Sequence, residues 1–468
     1  MARVRSVGWR SARWYGTPAT AGAPSLAVQQ LPATPGAAPG VNSEQPAGTG
    51  VLDERYLVSQ WPWVGVRWSL AYIAFLTYVF VVTSYTLPIG TAAMLAVLFG
   101  CFLGERVRLT PVGVMLCLFL VVGGISYAGS DWKPFTNEIL SDLAKMVLVF
   151  LSAQVVLDSK ERLRFFLFFY LFAFAFYPIR GSLFNYFIYH ETVEGRAVWN
   201  QQFADPNDLA ALLLLPMSLG LGLLTVERNK KLRFLAMGSL IFIPFVLALA
   251  QSRGAMLAFL AGAGLLFLRN KRAQKMMLVG AGVIAIVFVT LAPDQLWKRM
   301  SSLEQVGAKG AAAQAVDEGS MEQRLEIWKV STIVIKEHPV LGVGPGSYPF
   351  AHVFAARDPE VLDTAGGLRD AHSTYFTLMA EYGVIGFAIW IGFVLMILKK
   401  ADGARRRLEK RLPRHAQQLL MAEIGLISWG IAAVFGTWII GPFTYIGLAI
   451  LWAMAESGEK LAVDMGIA

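Results

Sequence analysis

The 468-residue chain is poor in charge. Asp, Glu, Lys and Arg make up 16% of it, against about 25% in soluble domains. That shortage, with 56% of residues in the set AVILMFWYC and a mean hydropathy of +0.53, excludes a string of soluble domains and predicts a polytopic membrane protein. Cysteine is scarcer still: Cys101 and Cys117, both in apolar runs, leave no disulfide framework and no cysteine-based zinc site. The basic start (Arg3, Arg5, Arg10, Arg13) lacks the apolar run that a signal peptide needs. Residues 1–60 are instead rich in Ala, Pro and Gly and read as a disordered cytoplasmic tail, with contact to anionic lipid headgroups as a second reading. GVGPG at 342–346 lacks the Gly-Lys-Ser/Thr ending of a phosphate loop, so no nucleotide is implied. The net charge of +9 does not require nucleic acid, because cytoplasmic loops of membrane proteins collect Lys and Arg.

What is abundant is long apolar runs with short charged punctuation. A helix needs roughly 20 apolar residues to cross the hydrocarbon core. About twelve such spans start near Val66, Leu87, Leu109, Ile139, Phe165, Asn207, Phe234, Gly254, Met276, Thr374, Gln417 and Gly441. The segments after every second span, from ERVR to KKADGARRRLEKRLPRH, hold 21 Lys and Arg; the short loops between them hold three, Lys133, Arg196 and Arg253. The basic set is therefore expected in the cytoplasm with both termini. The expected fold class is an all-α polytopic membrane protein with spans one to nine over 64–293, a large extracytoplasmic loop over 294–373, spans ten to twelve over 374–456, and a short cytoplasmic tail over 457–468.

A loop of that length is expected to be partly folded and functional. Ser320-Met321-Glu322-Gln323 reads as a capping box, and Leu325, Trp328, Thr332 and Ile335 recur at helical spacing, ending at His338-Pro339. Asp205-Pro206-Asn207-Asp208 reads first as a helix start, Asp capping and Pro in the first turn; a chemical role for Asp205 and Asp208 is the second reading. The histidines at 190, 338, 352 and 372, with Asp358, Asp363 and Asp370, do not match metal-ligand spacing. Arg253, at the outer end of two apolar helices, is costly there unless it pairs, snorkels or serves a site. Arg324 opposes the dipole of the helix it begins, and His372 directly precedes span ten. Two Arg and a His on one side suggest a site for a phosphorylated lipid with a base beside it. A transporter would carry its ionisable residues at the bilayer midplane; here only Asp142, Lys145 and Arg180 lie deeper, which favours an enzyme.

In order along the chain stand Phe203-Ala204-Asp205-Pro206-Asn207-Asp208-Leu209-Ala210, Ser252-Arg253-Gly254-Ala255, Gly342-Val343-Gly344-Pro345-Gly346, and His372 through Gly386. This set, over roughly 200–395, resembles the O-antigen ligases, whose superfamily also holds O-antigen polymerases and protein O-oligosaccharyltransferases. The ligases carry His, ten residues, then Gly, as His372 and Gly383 do here; they also carry Arg-x-x-x-Leu on the loop helix, where this chain has Arg324 followed by Trp328. The resemblance implies a GT-C-like fold in the bacterial inner membrane, with the active site facing the periplasm. It further implies transfer of a glycan from undecaprenyl diphosphate to lipid A-core, or to a growing glycan in a polymerase. Arg253 and Arg324 would hold the diphosphate, with Arg196 and Arg180 as further contacts, His372 would be the general base, and Asp205, Asp208 and Asp370 would support them. No metal or cofactor is implied.

Overall fold

The computed structural model describes residues 57–84, 88–270, 274, 321–357 and 367–466. Most of the 1–60 tail, the ninth span at Met276, Ser320 of the capping box, and Asp358 and Asp363 lie outside the described residues. Among the described residues there are helices and two isolated bridges but no strand. In chain order the helices are α1 (Leu70–Ser84), α2 (Gly90–Gly104), α3 (Pro111–Gly129), α4 (Lys133–Val156) and α5 (Lys160–Tyr189). They continue with α6 (Pro206–Val226), α7 (Lys230–Ala250), α8 (Arg253–Arg269), α9 (Met321–Glu337) and α10 (Tyr348–Ala355). The last are α11 (Thr374–Leu408), α12 (Pro413–Ala432) and α13 (Pro442–Asp464). Helices begin within six residues of every predicted span start except the ninth. By length and composition α3, α5, α6, α7, α11 and the Thr136–Val156 part of α4 can cross a membrane, which makes this a multi-pass membrane protein. α1 and α2 are apolar but have 15 residues each.

The punctuation residues set the helix starts. Thr110, Ser159, Asp205, Asn229 and Ser252 each accept a hydrogen bond from a first-turn N–H, satisfying donors that apolar surroundings would leave unpaired. α6 is the most enclosed helix and packs between α7 and α12. Small residues meet there: a Cβ on Gly220 would lie 2.0 Å from Ser239 Oγ, and one on Gly425 2.6 Å from Ser218 Cβ. Close backbone approach of this kind replaces the hydrophobic drive that lipid removes. α5, read from sequence as one plain span, contains π-helical turns at Ala175–Ile179, around Pro178, and at Asn185–Tyr189. At the basic end, the fully buried Arg162 is held by Glu105 (2.8 Å), Ser69 Oγ (2.9 Å) and the Arg67 carbonyl (2.8 Å).

α11 is broken in its N-terminal half. Gly383 has φ 62° and ψ −171°, a region open essentially to glycine. The freed backbone groups are met by the preceding loop. Val343 N donates to Ala380 O (2.8 Å), Gly344 N to Glu381 O (3.0 Å), and Val384 N to Pro339 O (2.9 Å). Non-helical backbone is tolerated at membrane depth only with such partners. Ser126 Oγ of α3 donates to Leu341 O (2.5 Å) or Glu381 O (2.8 Å), and the buried Glu381 carboxylate accepts from Tyr348 N (3.3 Å). The glycine that follows His372 by eleven positions thus marks where loop and helix interlock. A Cβ on Gly383 would lie 2.2 Å from Val340 O. Gly383→Ala is expected to destabilise the protein by about 1–3 kcal/mol from backbone strain alone, with the steric overlap added. The thermal midpoint in detergent checks this, with Gly403→Ala, whose Cβ meets nothing within 4 Å, as the unaffected comparison.

Candidate active site

The site forms where the N-terminal ends of α6, α8 and α11 and the C-terminal end of α7 meet α9 and the 433–441 loop. Asp205 accepts from the backbone N–H of Asn207 (2.6 Å) and Asp208 (3.3 Å), so it caps α6 while its charge stays at that helix N-terminus. One turn in, Asp208 Oδ1 accepts from the Trp438 indole N–H (2.9 Å). Arg196 is buried: its Nε donates to the Ala250 carbonyl (2.9 Å) and its Nη2 to Asn207 Oδ1 (2.8 Å), joining the loop before α6 to the end of α7. α7 ends in left-handed backbone at Gln251 (φ 51°), and Ser252 caps α8, so Arg253 is the first residue of α8. Ser252-Arg253 is therefore the hinge between two apolar helices.

Arg324 stands on the first turn of α9, where a helix was expected. Its Nη1 donates to the Phe435 carbonyl (3.2 Å). Burial and then the Arg253 charge hold its pKa below the usual guanidinium range, while Asp205 and Asp208 oppose that shift. The two cations and two carboxylates are thus in one electrostatic neighbourhood, although they come from three segments far apart in sequence. His372 joins it. Its side chain is about half exposed (47%) and its Nδ1 lies 4.0 Å from Asp370 Oδ2. Partial burial lowers the imidazole pKa below 6.5; Asp370 raises it, Arg324 lowers it, Asp205 raises it and Arg369 lowers it. His372 has φ 46°, an uncommon backbone state for a residue with a Cβ.

Arg253, Arg324, His372, Asp205, Asp208 and Asp370 are brought together. Arg196 adjoins them through Asn207. Arg180 is different: its guanidinium sits 4.8 Å and 4.9 Å from the Phe176 and Phe184 ring centroids, and its Nε donates to the Phe176 carbonyl, all within α5. Sequence reasoning missed the partners supplied by the 433–441 loop, namely Phe435 and Trp438, and also Arg369 and Trp328. A Gly-Thr-Trp interruption between two apolar runs was the available signal for the first two. Among the described residues no three His, Cys, Asp or Glu side chains group as a metal site would require. Chemically, two guanidiniums can clamp a diphosphate, and an imidazole beside them can take a proton from a hydroxyl.

A comparison with curated proteins gives no match. Among solved structures, a chain from work on the structural coordination of polymerization and crosslinking by a peptidoglycan synthase complex is 15% identical, covers 76% of this chain and 97% of its own, and has a TM-score of 0.39. Residues 238–391 match the family model described as O-Antigen ligase. That stretch runs from the middle of α7 to the middle of α11, so it takes in Arg253, Arg324, His372 and Gly383. It stops short of Trp438 and begins after Arg196 and Asp205. Over residues 238–391, about a third of the chain, the sequence is thus similar to the O-antigen ligase family.

Proposed function

We propose that the protein transfers a glycan from undecaprenyl diphosphate to a lipid A-core acceptor at the periplasmic face of the bacterial inner membrane. One observation carries the reading: Arg253, Arg324 and His372 share a single neighbourhood at the helix ends opposite the basic segments. The activated sugar outside the cytoplasm has to be lipid-linked, which suits a site at the membrane surface. In the reaction, the acceptor hydroxyl oxygen attacks the anomeric carbon as the bond from that carbon to the phosphate oxygen breaks. His372 takes the hydroxyl proton, and undecaprenyl diphosphate leaves with its charge held by Arg253 and Arg324. Twelve spans, both termini in the cytoplasm and a GT-C-like arrangement belong to the same reading. So does Arg196 as the support that fixes Asn207 and the end of α7 beside the diphosphate.

Purified protein given undecaprenyl diphosphate-linked glycan and lipid A-core is expected to form the joined product. A ladder of longer lipid-linked glycans without acceptor would instead indicate a polymerase, and vectorial movement of unmodified donor a transporter. Because two guanidiniums supply the positive charge, transfer should persist in excess chelator. A loss restored by Mg²⁺ or Mn²⁺ would redirect attention to Asp205, Asp208 and Asp370.

A further inference from the structure

We propose that Trp328 is a positioning residue that ties the helix carrying Arg324 to the backbone carrying His372. The proposal rests on the transfer reading above. Trp328 follows Arg324 by one helical turn on α9, so the two side chains share a face. Its indole N–H donates to the Ala371 carbonyl (3.0 Å), which belongs to the peptide unit that supplies the nitrogen of His372. The ring stacks on Phe376 in the first turn of α11, with centroids 5.3 Å apart and planes 24° off parallel. It also lies 6.3 Å from Phe435, whose carbonyl is the acceptor for Arg324. One indole therefore touches α9, the start of α11 and the loop that binds Arg324.

The backbone at His372 requires such a tie. A non-glycine residue in left-handed conformation persists only where its surroundings hold it. On the C-terminal side, Thr374 N donates to Ala433 O (2.9 Å) and Gly436 O (2.8 Å). On the N-terminal side, Ala371 is fully buried and its carbonyl is held by Trp328. With the indole N–H removed, the peptide bearing the imidazole loses this hydrogen bond on its N-terminal side and keeps there the packing of Ala371 in the apolar cluster with Val343 and Tyr348. The leucine of the ligase pattern fills space at this position but donates no hydrogen bond. The tie therefore belongs to this chain rather than to the pattern. Its effect is to fix the separation between the cation holding the leaving group and the base. Misplacing a reacting group by about 1 Å can cost about 10²-fold in rate.

Trp328→Phe keeps a ring for the Phe376 stack and removes the donor alone. Hydrogen exchange of the 370–376 backbone should quicken about tenfold in the variant, while exchange in α11 beyond Gly383 stays unchanged. With undecaprenyl diphosphate-linked glycan as donor, kcat should fall about tenfold or more and KM for the donor stay within about twofold. The acid limb of the kcat–pH profile should move up toward ordinary imidazole as His372 leaves its partly buried setting. If Trp328→Phe does not insert, Trp328→Leu, which also lacks the donor, carries the same expectations. Wild-type exchange in the variant overturns the tie, whatever the chain transfers. Faster exchange with wild-type kcat and pH profile overturns the positioning role. A wild-type protein that binds donor and transfers nothing overturns the transfer reading and the positioning role with it, while the exchange result still decides the tie.

Discussion

Arg324→Ala is expected to lower glycan transfer about 10²–10³-fold, the usual cost of removing one preorganised donor to developing negative charge. The protein should stay inserted and folded, because the side chain's hydrogen bond in the described structure is a single one to the Phe435 carbonyl. Arg253→Ala should fall by a similar factor. Two guanidiniums close enough to depress the pKa of Arg324 repel each other, and that repulsion is offset by Asp205 and Asp208. A bound diphosphate would relieve it further, which is the physical reason to read the pair as an anion clamp. The double variant should lose little more than the worse single one, since the two side chains act on the same leaving group. Lysine should not rescue either position where the contact is bidentate, because an ammonium is a point charge rather than a planar fork. Initial rates with saturating donor check each variant; full activity of Arg253→Lys would remove the bidentate contact, and full activity of the Ala variants would remove the clamp.

His372→Ala is expected to lose about 10²–10⁴-fold in the chemical step, the usual contribution of a general base, while donor binding survives through the two Arg. The pH dependence has a definite sign. Only neutral imidazole can accept a proton, so the rate should rise as pH passes the His372 pKa and then level off. Partial burial and Arg324 push that pKa below 6.5, so the acid limb should lie at lower pH than for an unperturbed imidazole. Asp370 favours the protonated ring, so Asp370→Asn should move the acid limb further down. Arg324 disfavours it, so the residual activity of Arg324→Ala should show an acid limb moved up. An acid limb that ignores both substitutions would mean that another group titrates.

Much of this was legible in the chain because a bilayer restricts the choices. Apolar runs must be helices, and Asp205 read as a helix cap from its residue type and the Pro that follows it; Thr110, Ser159, Asn229 and Ser252 cap by the same chemistry in the structure. The spacing of Leu325, Trp328, Thr332 and Ile335 located α9. The ordered motifs gave Arg253, Arg324 and His372, which come together although they lie more than a hundred residues apart at the extremes. What stayed hidden depends on tertiary contact. Nothing near Asp208 in sequence announces Trp438, and nothing near Arg324 announces the Phe435 carbonyl. Arg180 has the same residue type as the site cations and was read as a further diphosphate contact, yet it is taken up by Phe176 and Phe184 of its own helix. The role of Gly383 was also out of reach, since the loop that completes the broken α11 begins at Pro339, more than forty residues earlier.

The central claim is that this cluster performs glycan transfer with His372 as base. Its most direct test is single-turnover transfer from protein preloaded with undecaprenyl diphosphate-linked glycan to lipid A-core, comparing His372→Gln with wild type. Glutamine can still donate and accept hydrogen bonds but cannot take a proton at neutral pH. The account predicts that the variant retains bound donor and transfers it about 10²-fold or more slowly. A near-wild-type rate in the variant would contradict it.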